Sequence, residues 1–233
     1  DERVAGRQKA QWARRQDVLE RLDDEQLLPA IYFVFSRAGC DGAVAQMMRT
    51  RLRFTTKDES RRIAAHVDEA CLQVPRHDLD ALDFDAFRSA LTAGIAAHHA
   101  GMLPLFRTVV EELFSAGRIQ AVFATETLAL GINMPARSVV IEKLVKWNGE
   151  AHVPLSPAEY TQLTGRAGRR GIDVEGHAIV VWQRGVDPVE VAGLASTRTY
   201  PLRSSFRPTY NMAVNLVAQV GRGVAREILE TSF

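Results

Sequence analysis

Cysteine is scarce: Cys40 and Cys71 are the only two in 233 residues, and no C-x-x-C pattern joins them. That excludes a disulfide framework and makes a structural zinc site unexpected. No stretch of 18 apolar residues occurs, so no transmembrane helix is expected, and the start of the chain lacks the charged-then-apolar pattern of a signal peptide. Three phosphate and cofactor signatures are missing as well. Without G-x-G-x-x-G a dinucleotide enzyme loses ground. Without G-x-x-x-x-G-K-[ST] and a strand-terminal Asp-Glu pair, the chain cannot by itself grip and hydrolyse a nucleoside triphosphate.

What is present describes a soluble globular protein. Hydrophobic residues make up 46% and charged residues 24%, enough to bury a sizeable core. The length fits one large domain or a domain with an appendage, and a cytoplasmic location is expected. The sequence opens at Asp1 rather than Met and is expected to be a piece of something longer. Net charge is +1, so distribution matters more than the sum. Residues 54–90 hold eight acids against five bases, whereas residues 191–226 hold five arginines and no acid. A basic stretch of that kind suits a phosphate backbone or a solvated face about equally. The excess of arginine over lysine, 25 to 4, is read as genome composition rather than function.

Periodicity alternates between helix and strand. Val18, Leu19, Leu22 and Leu27 mark a leading amphipathic helix that Pro29 ends. Ile31–Phe35 is a continuous apolar run suited to a strand covered on both faces. Gly39 is expected to turn the chain and Asp41 to cap a helix over 42–53. Residues 54–93 read as a polar helical insertion, followed by a strand at 94–97. Pro104 opens a helix that Gly117 ends. Further strands are expected at 119–124, 138–145 and 177–182. Ser156 and Glu159 form a capping-box signature for another helix. Residues 185–209 read as a linker and 210–230 as helical. The pattern predicts an α/β domain with a mainly parallel sheet and a ligand crevice at the strand C-termini.

Chemistry concentrates in a few ordered segments. Gln162, Arg166 and Arg169, in QLTGRAGRRG, would share one stripe of a continuing helix. Two guanidinium forks beside small residues suit a polyphosphate, although an arginine-rich helix end would look similar alone. Thr125 falls just past a strand, where a hydroxyl can meet a nucleic-acid phosphate, and Glu126 can brace neighbouring loops. Gly131 permits a tight backbone path and Asn133 can reach a ribose hydroxyl. Ser36 and Arg37 end the first strand with a hydroxyl and a cation suited to a backbone phosphate. Of the adjacent histidines, His99 is assigned to backbone or phosphate contact and His98 to a packed role. A shared metal is not expected.

Together these segments resemble the second RecA-like domain of superfamily-two helicases, specifically the superkiller-type group and its actinobacterial HelY-type members. IYFVFSRAGCD (31–41) looks like motif IV, HHAGMLP (98–104) like the adjoining family segment, 123–136 like motif V, and 162–171 like motif VI. Residues 201–217 are similar to the lead into a winged-helix domain. The resemblance implies a RecA-like three-layer domain at 30–184, with 54–93 inserted. A leading segment would occupy 1–29, and a linker with the start of a winged-helix-type domain 185–233. It implies that Arg166 and Arg169 contact ATP with Gln162 nearby, that Gly131 and Asn133 flank the nucleotide, and that Ser36, Arg37 and Thr125 hold a single strand, RNA favoured over DNA. ATP with Mg²⁺ would be held mainly by the first RecA-like domain of the same protein, so this chain alone would be inactive. Two rival readings stand beside it: an inert nucleic-acid-binding module that keeps the fold, and a doubly wound metabolic enzyme binding a phosphorylated small molecule.

Overall fold

In chain order the elements begin with α1 (Arg15–Asp24), β1 (Ala30–Phe33), α2 (Arg37–Thr50), α3 (Lys57–Ala70), α4 (Arg76–Ala81) and α5 (Phe84–Thr92). Next come β2 (Ile95–His98), α6 (Pro104–Ser115), β3 (Ala121–Ala124), a one-turn 3-10 helix (Glu126–Ala129) and β4 (Ser138–Ile141). A hairpin, β5 (Val145–Trp147) and β6 (His152–Pro154), precedes α7 (Pro157–Thr164), β7 (His177–Val180), α8 (Pro188–Ser196) and α9 (Tyr210–Thr231). This computed structural model describes residues 13–129, 134–183, 185–197 and 209–231.

Five strands form one sheet in the order β2-β3-β1-β4-β7. Every pairing is parallel, with Phe33 beside both Ala124 and Ile141, and His98 beside Ala124. Alternation along each strand splits the core in two. Ala30, Tyr32, Ile95 and Phe123 face α1 and α2, which contribute Leu19, Leu22, Cys40, Ala43 and Met47. Ile31, Phe33, Val122 and Val139 face the opposite layer, where α3, α5, α6 and α7 contribute Ile63, Val67, Leu91, Val110 and Leu163. Each fully buried Phe or Ile contributes about 1.5–3 kcal/mol relative to exposure. The expected three-layer α/β architecture is therefore observed, and its sheet is wholly parallel.

Several boundaries differ from the sequence expectation. The 54–93 segment, read as a polar helical insertion, also supplies core residues: Ile63, Val67, Leu79, Phe84 and Leu91 join the main core. Its acids occupy the outer helix faces, and α3 opens with a Thr56–Glu59 capping box, the same pattern read at Ser156 but overlooked here. Helix α2 begins at Arg37, not 42, because Ser36 accepts a hydrogen bond from the Gly39 amide at 3.1 Å; Asp41 is not its cap and Gly39 lies inside its first turn. The strand expected over 138–145 stops at Ile141, and the β5–β6 hairpin follows. Residues 188–196, read as linker, form α8, whose Leu194 packs on the main core. Pro104 at the first turn of α6 and the positive φ of Gly117 just past it are as expected.

The chain divides into two units at residues 198/199. The second contains α9, which turns at Gly221, where φ is +79° and ψ is 161°. Val214, Val217, Val224 and Ile228 are exposed on this helix. Residues 201–208 of the expected winged-helix lead lie outside the described residues, as do Gly131 and Asn133.

Candidate functional site

Strands β1, β2 and β3 end level, and the side chains that follow them share one edge of the sheet. Past β1, Phe35 adopts a left-handed conformation (φ +57°), unusual for a bulky residue. It turns the chain so that Ser36 caps α2 and Arg37 stands exposed at its first position. The Ser36 oxygen accepts from Gly39, which leaves its hydroxyl proton to donate outward. The first turn of α2 also brings orphan amides to this edge, a favourable setting for an anion. Past β3, Thr125 is nearly buried, and its hydroxyl lies 2.9 Å from that of exposed Thr127. Thr127, not singled out from the sequence, is the outer member of this pair.

His99 is placed differently from expectation. It is 5% exposed; Nδ1 accepts from the Gly101 amide at 3.2 Å, and Nε2 donates to Asp41 at 2.9 Å. With both ring nitrogens engaged inside the protein, it braces the 99–101 turn rather than reaching outward. His98 is packed as expected, with Nε2 2.7 Å from Glu111. Among the described residues no group of His, Cys, Asp or Glu is placed to hold a metal ion.

Glu126 does brace its neighbours. Lys146 on β5 reaches Glu126 at 3.2 Å and Glu159 at 2.7 Å, while the other oxygen of Glu159 closes the capping box with Ser156. One ammonium thus ties the segment after β3, the hairpin and the start of α7. Burial disfavours the charge on Lys146, but hydrogen bonds to Glu159 and Glu126 outweigh it and raise its pKa. Burial also opposes ionisation of Glu159, yet Lys146 and Ser156 hold its pKa below the ordinary value. The stabilising contribution is therefore full between the ordinary carboxylate and lysine ranges. It fades as acid protonates Glu159 and, separately, as alkali deprotonates Lys146. Lys146→Met is expected to destabilise the protein by about 1 kcal/mol at neutral pH, and to flatten this pH dependence in urea titrations.

Helix α7 starts at that edge and ends at the other. Its eight residues span roughly 12 Å at 1.5 Å each, close to the length of a four-residue strand. Beyond Thr164 the helix stops, so Gln162, Arg166 and Arg169 do not share a helical stripe. Gln162 is exposed on the last turn. The chain then pairs with the residue preceding β4: Ala136 donates to the Arg166 carbonyl at 2.9 Å, and the Gly168 amide donates to the Ala136 carbonyl at 2.7 Å. Gly176, just before β7, presses on Ala167 and Gly168 so closely that a Cβ there would lie 2.4 Å from their backbone. The arginine segment is thereby held at the N-terminal edge of the sheet, away from Ser36, Arg37 and Thr125.

On this segment Arg166 donates from Nη2 to the Ala129 carbonyl. Arg169 forms a forked pair with Asp173: Nε to Oδ2 at 2.8 Å and Nη2 to Oδ1 at 2.7 Å, with the Arg169 amide also donating to Oδ2 at 2.8 Å. The Asp173 side chain is 4% exposed against 24% for Arg169. These bonds hold the Asp173 pKa at about 2, despite burial, and the positive charge of Arg137 adds to the effect. Asp173 lies two residues beyond the motif read from the sequence; its i+4 spacing from Arg169 was the available signal.

A wholly parallel sheet covered on both faces, with hydroxyls and a helix N-terminus at one edge and paired guanidinium groups at the other, defines a RecA-like α/β domain. Residues 70–171 match the family described as the helicase conserved C-terminal domain. The chain is 63% identical over 219 residues to the probable helicase HelY of Mycobacterium tuberculosis, covering 94% of this chain and 24% of the relative. It is 36% identical to the antiviral helicase SKI2 of Saccharomyces cerevisiae, covering 86% of this chain and 16% of that protein. It is also 36% identical to the exosome RNA helicase MTR4 of Mus musculus, covering 93% and 20% respectively. The chain spans about a quarter of the length of its mycobacterial relative. It belongs to the helicase conserved C-terminal domain family, together with the matched segments of HelY and SKI2.

Proposed function

We propose that this domain is the second motor lobe of an ATP-dependent, cytoplasmic RNA helicase, binding a single strand at one sheet edge and completing an ATP site at the other. The observation that carries the reading is Arg169, held by its fork on Asp173 in a segment clamped between Ala136 and Gly176. Arg166 and Arg169 would meet the phosphates of ATP bound mainly, with Mg²⁺, to the first RecA-like domain of the full-length protein. Gln162, Gly131 and Asn133 would complete that side. ATP, when bound, supplies the free energy of phosphoryl transfer. This chain contributes charge neutralisation at the terminal phosphate. Alone it lacks a phosphate loop and is inactive.

Ser36, Arg37 and Thr125, with Thr127 beside it, would hold successive backbone phosphates. Trp147 is 53% exposed on the hairpin and offers a ring on which a base can stack. Such contacts read backbone rather than sequence. The preference for RNA rests on relatives named RNA helicases, MTR4 among them. Nucleic-acid-stimulated ATP hydrolysis by the full-length protein tests the whole reading. RNA strands should stimulate more than DNA, regardless of base sequence, and apparent affinity should fall steeply with salt, at a log–log slope of about −0.7 per phosphate contact. Absence of stimulation by either strand overturns it.

A further inference from the structure

We infer that Asp173 is a positioning residue for ATP hydrolysis: its carboxylate fixes the Arg169 guanidinium in the pose that meets the terminal phosphate. The inference rests on the proposed arginine-finger role of Arg169 and assigns a second residue to the same site.

The geometry separates Asp173 from an ordinary surface partner. The Arg14–Asp17 pair is forked as well, but both of its side chains are exposed, and such pairs contribute little. Here one buried carboxylate receives three hydrogen bonds from Arg169, two from the guanidinium and one from the backbone amide. The amide bond ties the carboxylate to the same residue whose side chain it holds, so the backbone and tip of Arg169 are fixed together. The fork engages the Nε–Nη2 side and leaves Nη1 without a partner among the described residues. Both Nη1 hydrogens and the second Nη2 hydrogen therefore stay available to an incoming oxyanion. Arg169 also borders a surface concavity of about 540 Å³, shared with Pro135, Gly168 and Arg170.

Arg137 adds a second positive charge that acts on Asp173. Its Nε is buried and has no hydrogen-bond partner among the described residues. This second cation adds to the effect of Arg169 in favouring the ionised carboxylate. An arginine already ordered in this way has lost its rotamer freedom before ATP arrives, so its attraction to the developing charge is not spent on ordering the side chain. The same contacts could exist purely for stability. That possibility differs in what it predicts, because a stability role is independent of Arg169's contact with nucleotide.

The test is a double-mutant cycle in the full-length helicase with saturating RNA. Asp173→Asn should lower kcat for ATP hydrolysis roughly tenfold to a hundredfold while leaving KM for ATP within about twofold. Combined with Arg169→Ala, it should add nothing to the loss in single-turnover rate that Arg169→Ala causes alone. Thermal melts establish that the variants fold. If Asp173→Asn does not fold, Asp173→Glu, which keeps the charge but displaces the fork, should show the same kcat-only loss. An unchanged kcat in a folded Asp173 variant, beside a large loss in Arg169→Ala, would sink the positioning role and leave the finger standing. Equal losses from Asp173→Asn with and without Arg169 would mark the residue as structural only and also overturn the proposal. Full activity in Arg169→Ala would remove the finger reading itself, together with this one.

Discussion

On the proposed motor role, Arg169→Lys in the full-length protein is expected to cut RNA-stimulated ATP hydrolysis by ~10³-fold or more, the range of arginine-finger losses, with little change in RNA binding. Lysine is the informative substitution because of what Arg169 holds. Removing the side chain as Arg169→Ala would leave the Asp173 carboxylate, only 4% exposed, with the residue 169 amide but without the guanidinium fork, and breaking a buried pair costs about 3–5 kcal/mol. A loss of activity in that variant mixes chemistry with stability. Lysine supplies a cation for Asp173 but has no planar fork, so it cannot bond the carboxylate through two nitrogens and still present a third to phosphate. Activity should fall while the melting temperature moves little. Arg166→Lys should also be slow, with an additional local effect from losing its bond to the Ala129 carbonyl. RNA affinity should persist in both, because Ser36, Arg37 and Thr125 lie at the other edge of the sheet. Near-normal hydrolysis by Arg169→Lys would count against the transition-state role.

That two-edge arrangement was the part least visible in the sequence. The apolar run at Ile31–Phe35 and the signals at Pro104, Gly117 and Ser156–Glu159 are local, and local preferences carry through to the structure for the strand, the helix ends and the capping box. The motif order also led to the right domain family. Long-range packing is what linear spacing does not contain. Helical periodicity placed Gln162, Arg166 and Arg169 on one stripe, but the chain leaves the helix at Gly165 because the Ala136 backbone offers Arg166 and Gly168 alternative hydrogen-bond partners. Adjacent histidines after a strand suggest a phosphate contact for His99, but its Nε2 donates to Asp41, 58 residues away in sequence, a partner that spacing does not reveal. The polarity of residues 54–93 suggested a solvated insertion. Its apolar residues are few but fall at positions that face the sheet, so a composition average hid a core layer. Asp173 and Gly176 lay just past the recognised motif, and neither carries a local signature beyond spacing.

Gly176→Ala should be among the most damaging single-methyl additions in the described structure, although residue 176 meets neither substrate nor strand directly. The added carbon would lie 2.4 Å from Ala167 C and Gly168 N, and both are backbone atoms that cannot rotate aside. Gly168 already sits at φ +91° with its amide bound to Ala136, so the displaced segment has few alternative paths. Overpacking in a tight site costs about 1–3 kcal/mol, occasionally more, and a clash between main chains belongs at the upper end. For a domain of this size, about 3 kcal/mol corresponds to a fall in melting temperature of roughly 6–12 °C. Any part of that strain relieved by moving residues 166–169 would draw the arginines off the N-terminal edge. ATP hydrolysis should therefore drop in the full-length protein at temperatures where the fold survives. Gly193→Ala is the matched control: Gly193 lies in α8 with nothing within 4 Å of its added carbon, and the change should stabilise the helix by about 0.5–1 kcal/mol. Both variants add one carbon, which meets backbone at residue 176 and open space on a helix at residue 193. If Gly176→Ala melts and hydrolyses ATP like Gly193→Ala, then backbone contact at Gly176 does not hold the arginine segment, and the support for a preset Arg169 is lost.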